Sequence, residues 1–124
     1  MPNLVIQATP NINIPNADAL LKKLNEALWE TGYFNKTTDI KGRFLPLSTF
    51  LVGIDDDEQA NGFVYASFKL MIGRDLTIRN ELSEVLMTAL EAELATVQPK
   101  GISLQICVEV AELSEVYKKK VIDN

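Results

Sequence analysis

Residues 3–9 (NLVIQAT) form a short apolar run that Pro10 ends, since proline has no N–H to donate to a ladder; the run predicts a first strand. After a turn-rich stretch, 10–15, Asn16 or Asp18 can cap a helix that carries Ala19, Leu20, Leu24, Ala27 and Leu28 at helical spacing, with Gly32 as its stop. Residues 39–53 (DIKGRFLPLSTFLVG) are apolar and β-rich, but Gly42 and Pro46 interrupt them, which predicts a bent or bulged edge strand. An acidic loop, 55–58, follows. Asn61-Gly62 reads as a turn dipeptide opening the run 63–72, where Val64, Ala66, Phe68, Leu70 and Ile72 alternate with Phe63, Tyr65, Ser67, Lys69 and Met71. Gly73-Arg74-Asp75 ends that third strand. Asp75 or Thr77 then caps a long helix whose apolar stripe is Leu82, Val85, Leu86, Ala89, Leu90 and Leu94. Pro99 and Gly101 mark its exit. Ile102, Leu104, Ile106, Val108 and Val110 alternate with Ser103, Gln105, Cys107 and Glu109 in a half-buried final strand, and 117–124 read as a loosely ordered tail.

The order is strand, helix, strand, then strand, helix, strand, in halves of similar length. The chain is thus expected to be one α+β domain over 1–124 built from duplicated βαβ units, about 1–54 and about 62–112, with a tail at 113–124. Each helix has a single apolar stripe, so both are expected on one face of a four-stranded mixed sheet. The other face would show Tyr65, Ser67, Lys69, Met71, Gln105 and Glu109, too apolar for plain solvent surface and too polar for a dry core. Such a face suits a subunit interface, with Lys69 and Glu109 pairing inside an oligomer.

Composition narrows the chemistry. Among 124 residues there is no histidine and one cysteine, Cys107, which removes Ser-His-Asp and Cys-His nucleophiles, His/Cys zinc sites and any internal disulfide. No apolar run approaches the roughly 20 residues of a membrane span, and no signal-peptide pattern opens the chain, so a soluble cytoplasmic protein without a membrane partner is expected. Twelve Lys and Arg against 17 Asp and Glu give a net charge of −5, which disfavours a nucleic-acid partner. A small anionic ligand would need locally arranged cations.

Proline directly after Met1, at the head of the first strand of a duplicated βαβ chain, resembles the tautomerase superfamily. Within it the chain is similar to the 5-carboxymethyl-2-hydroxymuconate Δ-isomerases. The likeness runs through Met1-Pro2, Thr31-Gly32-Tyr33-Phe34, Ile40-Lys41-Gly42-Arg43, Phe63-Val64, Lys69, Gly73-Arg74 and the last strand with Glu109. It implies a homotrimer with sites at subunit boundaries, no metal and no organic cofactor. It also implies that Pro2, exposed by removal of Met1, is the acid-base group, and that arginines of the sheet region bind substrate carboxylates. Where the family pattern carries arginine, this chain has Lys41, which keeps the charge and loses the bidentate fork.

Those residue types suit the reaction on general grounds. A proline at a true N-terminus is a rigid secondary amine. An ordinary α-amino group titrates near about 7.7–8.0, and burial or neighbouring cations disfavour its charged form. A base so placed can take a proton from one site of a dienol and return it at another carbon. Lys41 and Arg43, two residues apart on a strand, project to one side. With Arg74 they can grip carboxylates and stabilise a dienolate, and Phe34 can wall the pocket. Plainer roles exist for each: charged guards of an edge strand for Lys41 and Arg43, an ion pair with Asp75 or Glu109 for Arg74, core packing for Phe34. The 55–58 run lacks the glycine and distant glutamate of a calcium loop. The functional expectation is a tautomerase acting on an unsaturated hydroxy-carboxylate from aromatic catabolism. The alternatives are a tautomerase for other keto-enol substrates and a non-catalytic oligomeric βαβ-repeat protein that binds an anion or a protein.

Overall fold

A computed structural model describes residues 2–56 and 58–124. Met1 of the Met1-Pro2 pair and Asp57 of the acidic loop lie outside the described residues. The element order is β1 (Asn3–Ala8), α1 (Ala17–Trp29), a single 3-10 turn (Thr37–Asp39), β2 (Lys41–Pro46), β3 (Asn61–Leu70), α2 (Leu76–Leu94) and β4 (Ser103–Glu112). The strands form one sheet in the order β2-β1-β3-β4. β1 runs parallel to β2 and β3 parallel to β4, while β1 and β3 meet antiparallel at the centre, Asn3 opposite Lys69 and Ala8 opposite Val64. Each βαβ unit supplies one central and one edge strand, as the duplication predicts.

Both helices begin where a side-chain oxygen takes an otherwise orphaned amide. Asn16 Oδ1 accepts from the Ala19 N–H at 3.0 Å, and Asp75 Oδ1 accepts from the Ile78 N–H at 2.9 Å. Asn16 and Asp75 are thus the caps, not Asp18 or Thr77. Leu20, Leu24 and Leu28 of α1 and Leu82, Leu86, Leu90 and Leu94 of α2 are buried on the strand residues of one parity, Leu4, Ile6, Ala8, Val64, Ala66, Phe68 and Leu70. The i, i+4 repeat in α2 is narrower than the stripe predicted, since Val85 and Ala89 lie half-buried at its flank. Because the opposite parity is left uncovered by helices, the sheet has one packed and one open face.

Four local expectations change. β2 is indeed an edge strand, but it stops at Pro46 instead of running to residue 53. Proline there cannot donate, and the partner strand β1 ends at Ala8, so once the Leu47 N–H has taken the Ala8 carbonyl at 2.9 Å the apolar stretch beyond has no ladder to join. Asn61-Gly62 is not a hairpin turn: both residues lie inside β3, paired with Ser103 and Leu104. The turn comes earlier, where the Asp56 carboxylate accepts from the Ala60 and Asn61 amides at 3.0 and 3.1 Å. Glycine is needed at 62 for space, because a Cβ would stand 2.4 Å from Ile12 Cγ2 and 2.7 Å from Thr9 Oγ1. Ile72 falls beyond the end of β3 and is exposed. Finally, the tail has no regular structure, as expected, but it is tied back at Tyr117 and Lys119. After the Leu113 N–H donates to the Leu70 carbonyl at 2.8 Å, the chain crosses back as an irregular strap to Asn3 and Asp39. Among the described residues no helix is long and apolar enough to cross a membrane.

Candidate active site

The antiparallel register at the centre decides what shares an end of the sheet. Asn3 sits opposite both Lys41 and Lys69, so the head of β1, the head of β2 and the tail of β3 coincide. Pro2 precedes Asn3 there and is buried, its carbonyl accepting from the Lys41 N–H at 3.2 Å. Arg74, four residues past the end of β3, comes to the same end, as does Phe34 after α1. All five residues singled out from the sequence therefore gather at one end of one sheet, although Pro2 and Arg74 lie in different halves of the chain.

They divide between its two faces. Parallel pairing of Val5 with Arg43 puts Arg43 on the open face with Asn3, and Arg43 Nη2 donates to Asn3 Oδ1 at 2.8 Å. Lys41 shares that parity at the very start of the edge strand, its Nζ donating to the Asp39 carbonyl at 2.8 Å. Arg74 belongs to the helix side. It donates to the Tyr33 carbonyl, and its guanidinium carbon lies 5.6 Å from the Tyr33 ring centre and 5.9 Å from that of Phe34. Stacking on two rings holds a planar cation at little entropic cost. This seat replaces the ion pair with Asp75 or Glu109 that was the plainer expectation. Phe34 is only 9% exposed and meets Phe68 edge-on at 6.1 Å, so it is a core side chain whose other side carries Arg74.

On the open face a cavity of about 450 Å³ runs along the middle of the sheet. Asn3, Arg43 and Lys69 give its floor positive charge and hydrogen-bonding capacity, Tyr65 borders it, and Leu113 and Tyr117 of the strap form a wall. The expected pairing of Lys69 with Glu109 is not made within one protomer. Glu109 Oε1 instead accepts from the Tyr65 hydroxyl at 2.7 Å, and that hydrogen bond to a carboxylate pushes the Tyr65 pKa above its ordinary value. Beside Lys41, the Asp39 carboxylate meets Lys119 Nζ at 3.0 Å, which holds the Asp39 pKa below the usual range despite partial burial. At the other cation, the Tyr33 hydroxyl is held protonated to higher pH chiefly by its bond to Glu81. Cys107 lies half-buried on β4.

Sequence reading did not single out Asn3, Asp39, Tyr117 or Lys119. Asn3 carries a faint signal, being of one parity with Val5 and adjacent to Pro2. No local pattern announces the others: Tyr117 and Lys119 reach the site only because the strap folds back, and Asp39 stands in the 3-10 turn two residues before Lys41.

A duplicated βαβ chain with this strand order, both helices on one face and a cation-lined sheet end is a tautomerase-like isomerase. More narrowly, the sequence model of the 5-carboxymethyl-2-hydroxymuconate isomerase family matches residues 2–124, and the chain belongs to that family. A 5-carboxymethyl-2-hydroxymuconate isomerase from Deinococcus radiodurans R1 has a similar structure, with 26% identity, a TM-score of 0.81 and coverage of 98% of this chain and 90% of that one. A 5-carboxymethyl-2-hydroxymuconate delta-isomerase superposes with a TM-score of 0.82 at 19% identity, covering 98% and 88% of the two chains. The structure described as a Q0 fused 4-OT wild type symmetric trimer shares the fold at a TM-score of 0.61 and 17% identity, covering 87% and 84%. No curated protein sequence matches the chain significantly.

Proposed function

We propose that the chain is a cofactor-independent tautomerase that ketonises an unsaturated hydroxy-carboxylate such as 5-carboxymethyl-2-hydroxymuconate, in the cytoplasmic breakdown of aromatic compounds. The observation that carries this reading is the position of Pro2 at the head of a central strand, with Lys41 and Arg43 on the strand beside it, in a family member that has no histidine. Removal of Met1 converts the Pro2 nitrogen from an amide into a secondary amine with a lone pair. That amine takes the enol O–H proton as the oxygen's electron pair closes the carbonyl and the conjugated double bonds shift. The ammonium then returns the proton to the distant carbon, so the base is regenerated. Lys41 and Arg43 grip the substrate carboxylates, and Arg74, seated on Phe34, offsets charge on the dienolate oxygen.

The cations on the two faces of one sheet end are brought to a common site by neighbouring copies. Three chains closing their open faces around an axis would place sites at the subunit boundaries, which agrees with the trimer named for the fused 4-OT structure. A second reading keeps the proline base and takes other keto-enol acids. It is favoured by Lys41, whose point charge sets a looser carboxylate geometry than an arginine fork would.

The test is ketonisation of the muconate-type dienol, followed by its ultraviolet absorbance, on protein whose intact mass proves that Met1 is gone. Pro2→Ala and Arg43→Ala are each expected to lower kcat/KM by about a hundredfold or more. A full rate from Pro2→Ala would overturn the proposal, and a panel of enols separates the two substrate readings.

A further inference from the structure

We propose that the C-terminal strap positions the two carboxylate-binding cations, Tyr117 acting on Arg43 through Asn3 and Lys119 acting on Lys41 through Asp39. The proposal rests on the reading of Lys41 and Arg43 as ligands of a substrate dianion, and goes beyond it by giving two tail residues a part in affinity.

The first arm is a relay of two hydrogen bonds. The Asn3 amide is shared end to end: Oδ1 accepts from Arg43 Nη2 at 2.8 Å, and Nδ2 donates to the Tyr117 hydroxyl at 3.2 Å. A surface arginine otherwise samples many rotamers, and freezing them on binding costs affinity. Asn3 lies on a central strand and fixes one edge of the guanidinium fork, leaving the other edge for a carboxylate. The donor-only guanidinium fixes which way the Asn3 amide faces, and Tyr117 holds that amide from its other end by accepting from Nδ2.

The second arm concerns charge. Asp39 stands directly before the Ile40-Lys41 step, and Lys41 Nζ reaches the Asp39 carbonyl at 2.8 Å. The Asp39 carboxylate also feels the Lys41 charge, and left unmatched it would compete with substrate for the ammonium. Lys119 satisfies it instead at 3.0 Å. The pair is neutral together, which leaves the Lys41 charge available to an anion.

Both arms are expected to act on binding and not on proton transfer. Tyr117→Phe and Lys119→Ala should each raise KM for the dienol about three- to tenfold, the scale of one hydrogen bond or ion pair, with kcat little changed. The decisive comparison is Asp39→Asn in the Lys119→Ala background. If the lysine works by occupying that carboxylate, removing the carboxylate restores KM to near the wild-type value; a lysine that merely staples the tail gives no such rescue. Calorimetric titration with cis,cis-muconate, a dicarboxylate with no enol to ketonise, reads the same effect on Kd without catalysis. Unchanged KM and Kd in both single variants, or loss without rescue in the double variant, overturns the positioning role and leaves the tautomerase reading intact. Wild-type protein that neither ketonises the dienol nor binds muconate overturns both.

Discussion

Lysine 41 and arginine 43 differ from ordinary edge-strand guards in what surrounds them. Guards of an edge are independent of one another, whereas each of these is tied to a neighbour, Arg43 to the Asn3 amide and Lys41 to the Asp39 carbonyl. The Asp39–Lys119 pair beside them makes a pH-dependent contribution whose sign follows from the carboxyl. Its pKa in the fold lies below the ordinary 3.8, first because Lys119 bonds the charged form. Between the two values the unfolded chain binds more protons than the folded one, so this contribution is complete above about pH 4 and is lost as pH falls through the folded value. Asp39→Asn should therefore flatten the acid limb of stability in that window. Urea denaturation of both proteins at pH 7 and near pH 3 measures it, and equal slopes between the two would exclude the pair as a source of stability.

At the level of elements, close approach counts for more than propensity. β3 enters the sheet through Gly62 because the 9–12 segment presses on it, with Ile12 Cγ2 and Asn11 Oδ1 within 2.4 and 2.6 Å of where a Cβ would be. Thr9 is itself locked there: its Oγ1 accepts from the Phe63 N–H at 3.0 Å. Gly62→Ala must push β3 away from the turn after β1, and is expected to destabilise the protein by about 1–3 kcal/mol. A melt or denaturant midpoint reads this directly. Ala66→Gly, in the same strand but without that clash, controls for glycine content. This is also where sequence reasoning erred most usefully. Asn-Gly is a strong local hairpin signal, yet the same two residues serve a strand when a distant segment removes the room for a side chain. Likewise 47–53 looks like strand by composition, and only the length of its neighbour ends it.

The whole molecule has one helix-covered face and one that carries a cation-lined cavity of about 450 Å³ beneath the strap. Val5 and Tyr65 on that face, mixed with Asn3, Ser67 and Lys69, fit a surface that a second copy of the chain covers better than water does. Sedimentation of the pure protein should give three times the protomer mass at micromolar concentration. A monomer there would contradict closure of the open faces and, with it, sites shared between subunits.

Sequence alone determined the alternating runs, the two helices and their pairing into a βαβ duplication, which follow from periods of two and 3.6 residues and from capping residues, all local physics. The proline, cations and aromatic ring were singled out through a family resemblance, and strand register gathers them at one end of the sheet. The tertiary structure alone decided the faces on which those residues act. Arg74 went to the helix side because Tyr33 and Phe34 offered it rings, and Arg43 to the open face because β2 pairs with β1 in one register and not its neighbour. The strap likewise gained its role only by returning to Asn3 and Asp39, whose separations of 114 and 80 positions no local pattern encodes. Pairing register and chain return are set by the packing of the whole core, so they exist only once it has formed.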